Sequence, residues 1–140
     1  MRVVLLISYL SFSFLWAQDG FDSSFSCKGR DTLETWQGLR YCIIESTEGR
    51  SPEKGDRLYV EYKGYSSNGV VFDSSTSFNF RLQKLEVIRG WDIGFALLKE
   101  GESARFFIPW KLAYGKHGRP PMIPRKADLI FDVKLTRIKD

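Results

Sequence analysis

Arg57 to Lys63 alternates without interruption: Leu58, Val60 and Tyr62 share one face, and Tyr59, Glu61 and Lys63 share the other. A period of two is the pattern of a half-buried strand. Asn68-Gly69 follows, the strongest signal for a two-residue hairpin, because both residues tolerate positive φ. Val70-Val71-Phe72-Asp73 is then the returning arm. A chain whose middle is an antiparallel hairpin has a sheet to build, and a sheet with one apolar face needs another element laid against that face.

The flanking segments supply both. Leu39 to Ile44 reads as a strand, and Glu48 to Asp56 is a loop by its turn residues. Ser74 to Ser77 reads as a polar break before Phe78-Asn79-Phe80-Arg81-Leu82 alternates again. Ala104, Phe106 and Ile108 alternate against Arg105, Phe107 and Pro109. Leu129, Phe131, Val133 and Leu135 alternate against Ile130, Asp132, Lys134 and Thr136. One helix is predicted, over Arg89 to Lys99, from the spacing of Trp91, Phe95 and Leu98. Gly90 and Gly94 lie inside it, so packing rather than propensity has to hold it. The expectation is an α+β fold, a twisted antiparallel sheet of about five strands around one short helix. Between the last two strands runs a long loop, Trp110 to Lys126, with Pro120, Pro121 and Pro124. Loops of this length are often functional. Its charged residues, Lys111, Lys116, Arg119, Arg125 and Lys126, are all cations.

At 140 residues there is room for one domain. The formal charge of +4 is small and spread along the chain, so a concentrated nucleic-acid footprint is not expected. Arg2, the apolar run Val3 to Trp16, and Ala17 before polar Gln18-Asp19-Gly20 read as a secretory signal peptide over 1–17, cut after Ala17. Residues 18–36 then form a polar N-terminal extension and 37–140 the domain. The apolar run is short for a membrane span, which needs about 20 residues. Export, to a periplasm or outside the cell, permits a disulfide between Cys27 and Cys42. That bond would close a loop of about 15 residues, a stabilisation of about 3 kcal/mol in the chain-entropy model. Two unpaired thiols, or lipid attachment at Cys27, are the alternatives.

Several chemistries lack their parts. His117 is the one histidine, so a zinc site or a Ser-His-Asp triad is hard to assemble. There is neither a phosphate-cradling glycine loop nor a dinucleotide fingerprint. Glu100 and Glu102 flank a turn and read as solvated rather than as a glycosidase pair. What remains is a set of aromatics, Tyr62, Phe72, Trp91, Tyr114 and Phe131, with Asp73 as the carboxylate among them. Glu86-Val87-Ile88-Arg89-Gly90-Trp91 delivers the Trp to a first helical turn, where its ring can floor a pocket.

Read with its neighbours, this set resembles the FKBP-type peptidyl-prolyl cis-trans isomerases. The resemblance is carried, in order, by Val60-Glu61-Tyr62-Lys63-Gly64, Val71-Phe72-Asp73-Ser74-Ser75, Glu86 to Trp91, Leu112-Ala113-Tyr114-Gly115 and Leu129-Ile130-Phe131-Asp132-Val133. Gly38-Leu39-Arg40-Tyr41 is similar to the lead-in strand of exported bacterial members. The resemblance implies an enzyme that turns X–Pro bonds in exported, unfolded or nascent chains and so aids their folding. The alternative it leaves is a non-catalytic or chaperone-like module that holds Pro-containing segments. It implies Trp91 as the floor under the proline ring, with Tyr62, Phe72, Val87 and Phe131 as walls and Phe78 near the rim. The N–H of Ile88 and the hydroxyl of Tyr114 would donate to substrate carbonyls. Asp73 would brace Tyr62 and face the twisting amide. Met122 and Ile123 would add a flexible wall from the long loop. Catalysis would rest on Asp73, Tyr62, Tyr114 and Phe131, with no metal or cofactor, and macrolides such as tacrolimus or rapamycin would compete for the cup.

Overall fold

The computed structural model describes Cys27 and residues 29–140; the segment 1–17, expected as a secretory signal, and about half of the extension lie outside the described residues. Six strands form one antiparallel sheet. They are β1 (Leu33–Glu34), β2 (Arg40–Glu45), β3 (Arg57–Ser66), β4 (Val71–Arg81), β5 (Ser103–Ile108) and β6 (Leu129–Lys139), in the spatial order β1-β2-β5-β6-β3-β4. The helix α1 (Arg89–Phe95) lies between β4 and β5 in the chain, and two single 3-10 turns, Trp110–Leu112 and Gly115–His117, punctuate the long loop.

The alternating segments became strands, and their apolar faces form one core: Leu58 and Val60 from β3, Phe80 from β4, Phe106 and Ile108 from β5, Leu129, Val133 and Leu135 from β6, and Phe95 and Leu98 from α1 and its exit. The helix is shorter than its spacing predicts. After Phe95 the bonds tighten to three-residue steps, Leu97 N–H to Gly94 and Leu98 N–H to Phe95, before the turn at Gly101. Gly90 and Gly94 explain how so short a helix is held. A Cβ at Gly90 would lie 2.5 Å from Ile108, and one at Gly94 would lie 2.6 Å from Phe106. The helix backbone therefore sits directly on β5, and dispersion contacts at that range replace the missing propensity.

Two other local expectations change. The Asn68-Gly69 hairpin has a three-residue loop rather than two. Gly69 N–H bonds Ser66 and Ser66 N–H bonds Val70, and of the two central residues only Gly69 has positive φ. This is a turn followed by a glycine bulge, the next most common solution. The polar stretch Ser74 to Ser77 does not break the strand; β4 runs straight through it. Its register against β3 slips at two places, between Gly64 and Tyr65 and between Val60 and Tyr62, each slip inserting one residue on β4. Glu102 is buried rather than solvated: it accepts from Lys99 N–H, Thr47 N–H and the Ser46 hydroxyl and so ties two turns together.

The opposite face of the sheet carries a smaller cluster of Cys27, Cys42, Tyr65 and Ile130, flanked by Ile44 and Phe107. Cys27 and Cys42 are disulfide-bonded across 15 residues of sequence, with Cα atoms 6.3 Å apart. Beside them Arg105 donates both arms of its fork to the buried Asp132, at 2.7 and 3.0 Å. Replacing both cysteines by alanine should lower unfolding stability by about 3 kcal/mol, read by denaturant titration, with the cup on the other face unaltered. Tyr65 gives a pH prediction. Burial and the neighbouring Asp132 carboxylate push its phenol up to about 12, partly offset by Arg105. The unfolded chain releases that proton near 10, so stability present below pH 10 is lost as pH rises toward 12. The Tm should fall across that window, and Tyr65→Phe should flatten part of the fall.

Candidate active site

Between α1 and the concave face of the sheet lies a cavity of about 190 Å³. Its floor is Trp91, 5% exposed. The rings around it stand nearly upright on the indole: Tyr62 at 4.9 Å and 75°, Phe131 at 5.3 Å and 83°, Phe78 at 5.9 Å and 77°. Phe72 closes the wall edge-on to Phe131 at 5.6 Å. Edge-to-face contacts of this kind are the preferred aromatic geometry, so the cup is also a well-packed part of the core.

Strand alternation alone could not build it. Phe72 and Asp73 are consecutive, yet both line the cavity. The register slip beside Gly64 makes this possible: Tyr65 pairs with Val71 while Gly64 pairs with Asp73, leaving Phe72 as the extra residue. A one-residue bulge re-aims side chains in this way and is common beside active sites. The second slip, between Ser75 and Phe78, returns Phe78 to the side of Val60 and thus to the cup. Gly64 is the residue that leaves room, since a Cβ there would lie 2.7 Å from both Phe131 and Phe72.

The polar groups are few. The Tyr62 hydroxyl donates to Asp73 Oδ2 at 2.7 Å. Burial first, then that hydrogen bond and the Asp73 charge, hold the phenol well above its ordinary value, so it stays a donor. Ile88 stands just before α1 in extended backbone, and its carbonyl accepts from Trp91 N–H. No acceptor for the Ile88 N–H occurs among the described residues. Tyr114 stands at the start of the second 3-10 turn and lines the cavity. The Trp91 indole N–H is buried and has no partner among the described residues.

The structure thus gathers Tyr62, Phe72, Asp73, Phe78, Val87, Ile88, Trp91, Tyr114 and Phe131 around one cavity. It adds two residues that sequence reasoning did not place in the site, Glu86 and Arg119. Glu86 accepts from Arg81 N–H at 2.7 Å, and the Arg119 guanidinium lies over the Tyr114 ring at 5.7 Å. Glu86 opens the segment that ends at Trp91, which was the available signal for it. Met122 and Ile123 are not among the residues that line the cavity. Arg119 and Ile123 exchange two backbone bonds, at 2.8 and 3.0 Å, which turns Ile123 into the core at 4% exposure and leaves Met122 outside at 60%.

An aromatic cup, with donors and two carboxylates, Asp73 and Glu86, among its lining residues, suits a small apolar ring. Comparison with known proteins gives the class. The family model for FKBP-type peptidyl-prolyl cis-trans isomerases matches residues 48–136. The chain belongs to that family. It is 51% identical over 100 residues to FK506-binding protein 4 of Dictyostelium discoideum, covering 70% of this chain and 28% of that protein. It is 39% identical over 106 residues to FK506-binding protein 1 of the same organism, covering 73% of this chain and 99% of that one. The chain spans about a quarter to two-fifths of the length of the long relatives it matches, such as those at 24% and 39%. The crystal structure of AtFKBP13 superposes with a TM-score of 0.74 at 30% identity, over 79% of this chain and 99% of that one.

Proposed function

We propose that this chain speeds rotation about X–Pro bonds in exported polypeptides and so aids their folding. The observation that carries the reading is the upright arrangement of Tyr62, Phe78 and Phe131 on the Trp91 indole, with Asp73 bonded to Tyr62 at its edge. An X–Pro amide turns slowly because resonance makes its C–N bond partly double, with a barrier near 18–20 kcal/mol. Uncatalysed exchange takes tens of seconds or longer. Once twisted, the amide has lost resonance and its carbonyl carries less charge, so it needs less water than the planar form. A cup lined by rings favours the twisted state over the ground state, which is what catalysis requires. On this reading the Ile88 N–H and the Tyr114 hydroxyl hold flanking carbonyls, which restricts the chain to a geometry near rotation. Acceleration of 10⁵-fold would need about 7 kcal/mol of such differential stabilisation.

Two further features support export. The Val3 to Trp16 run reads as a secretory signal, and the Cys27–Cys42 bond suits an oxidising compartment. On this reading 1–17 is removed, 18–36 is the extension and 37–140 the isomerase domain, working in a periplasm or outside the cell. A protease-free isomerisation assay on a neutral proline tetrapeptide tests the activity. Catalysed exchange, blocked by tacrolimus or rapamycin, is expected. Binding of the peptide with no acceleration would replace the isomerase reading with that of a module that only holds Pro-containing segments.

A further inference from the structure

Beside the cup, on the same loop, lies a second concavity of about 420 Å³ lined by Lys116, His117, Arg125 and Lys126. All four side chains are basic and exposed. Between Glu102 and Asp128 the sequence contains no other acidic residue, and Asp128 itself accepts from Trp110 N–H at 2.9 Å. Among the described residues, none of the four makes a salt bridge; those found involve Arg50 and Arg105. Lys111 and Lys126 lie 5.5 and 5.7 Å from the Trp110 ring, which gathers two cations at one place without neutralising them.

The basin is held, not loose. Lys126 N–H bonds the Gly115 carbonyl at 3.2 Å, joining the two ends of the loop, and the paired bonds between Arg119 and Ile123 close its middle. Like charges fixed side by side in this way repel one another, so a ligand that brings negative charge relieves the repulsion as well as pairing with each cation. The basin and the cup draw on the same loop. Lys116 and His117 belong to the 3-10 turn that Tyr114 caps, and Arg119, next along the loop, lines the cup itself. A polypeptide seated by its proline on Trp91 and leaving past Tyr114 would meet Arg119 and Lys116 first.

The geometry points to an acidic segment of the polypeptide substrate as the occupant of this basin: clients in which Asp or Glu residues follow or precede the proline by a few positions. The inference rests on the isomerase reading and adds the substrate class. The test uses four peptides: a neutral proline tetrapeptide, a longer neutral peptide, and two versions of the longer peptide with three glutamates on one or the other side of the proline. For the better acidic peptide, KM at low salt should be about three- to tenfold below that of its neutral counterpart, with the gap closing near 0.5 M salt. Lys116→Ser/Arg125→Ser/Lys126→Ser should abolish the gap while leaving kcat/KM for the neutral tetrapeptide within twofold. Equal KM for acidic and neutral peptides, or a gap that survives the triple substitution, overturns the inference. If the neutral tetrapeptide is not turned over at all, the isomerase reading fails instead. Fluorescence anisotropy of a labelled proline-free acidic peptide then decides the basin alone, with salt-sensitive binding lost in the triple variant supporting it and absence of binding overturning it.

Discussion

Asp73→Leu is expected to lower kcat/KM for a neutral proline peptide by about 10- to 100-fold while leaving the fold intact. Asp73 lines the cavity but is exposed to solvent and takes no part in the core, so its removal should shift Tm by no more than a few degrees. Its effect is local. A carboxylate that accepts from a phenol contributes roughly 1.5–3 kcal/mol, the range for hydrogen bonds to charged groups. Without it the Tyr62 hydroxyl, half-buried in the cup, loses the acceptor that fixes its ring upright on Trp91. Wild-type rates in Asp73→Leu would remove that carboxylate from the mechanism. Asp73→Asn separates the two contributions, since an amide oxygen can still accept the bond but brings no charge.

Trp91→Ala should be the most destabilising single change in the site. The indole contacts Tyr62, Phe78, Phe80, Phe95 and Phe131 with ring centroids between 4.9 and 5.9 Å. Removing so large a buried ring typically costs about 3–5 kcal/mol, a large share of the 5–15 kcal/mol that holds a domain together. The neighbours cannot collapse into the space, because α1 is already seated on Phe106 and Ile108. Denaturant titration should show the loss, and peptide turnover should fall with it even where the variant remains folded. Trp91→Phe keeps a ring in place and should recover most of the stability but only part of the turnover. A Trp91→Ala protein as stable and active as the parent would mean that the floor lies elsewhere.

The strands with clean alternation were legible in the residues: β3, β5 and β6 form where the apolar period of two runs. β4 was not, because its polar middle conceals two one-residue slips, and a slip leaves no mark in composition. Those same slips put Phe72, Asp73 and Phe78 into the cup, so the part of the strand that was hardest to read is the part that builds the site. The helix was legible from Trp91, Phe95 and Leu98, although its end was not; the tightening after Phe95 follows from how closely the glycines seat it on β5. Around the cavity, the aromatic floor and walls were readable as a set once taken with their neighbours. The long loop was less so. Which of Arg119, Met122 and Ile123 faces inward depends on a pair of backbone bonds between Arg119 and Ile123, and side-chain identity says little about such a bridge.

The seating of α1 on β5 has one more consequence. With Gly90 and Gly94 in direct touch with Ile108 and Phe106, the base of the cup moves only as the whole sheet moves. The position of its floor is settled before any guest arrives. A receptacle of that kind pays no toll of rearrangement at each turnover, and its throughput should be nearly indifferent to the viscosity of the medium.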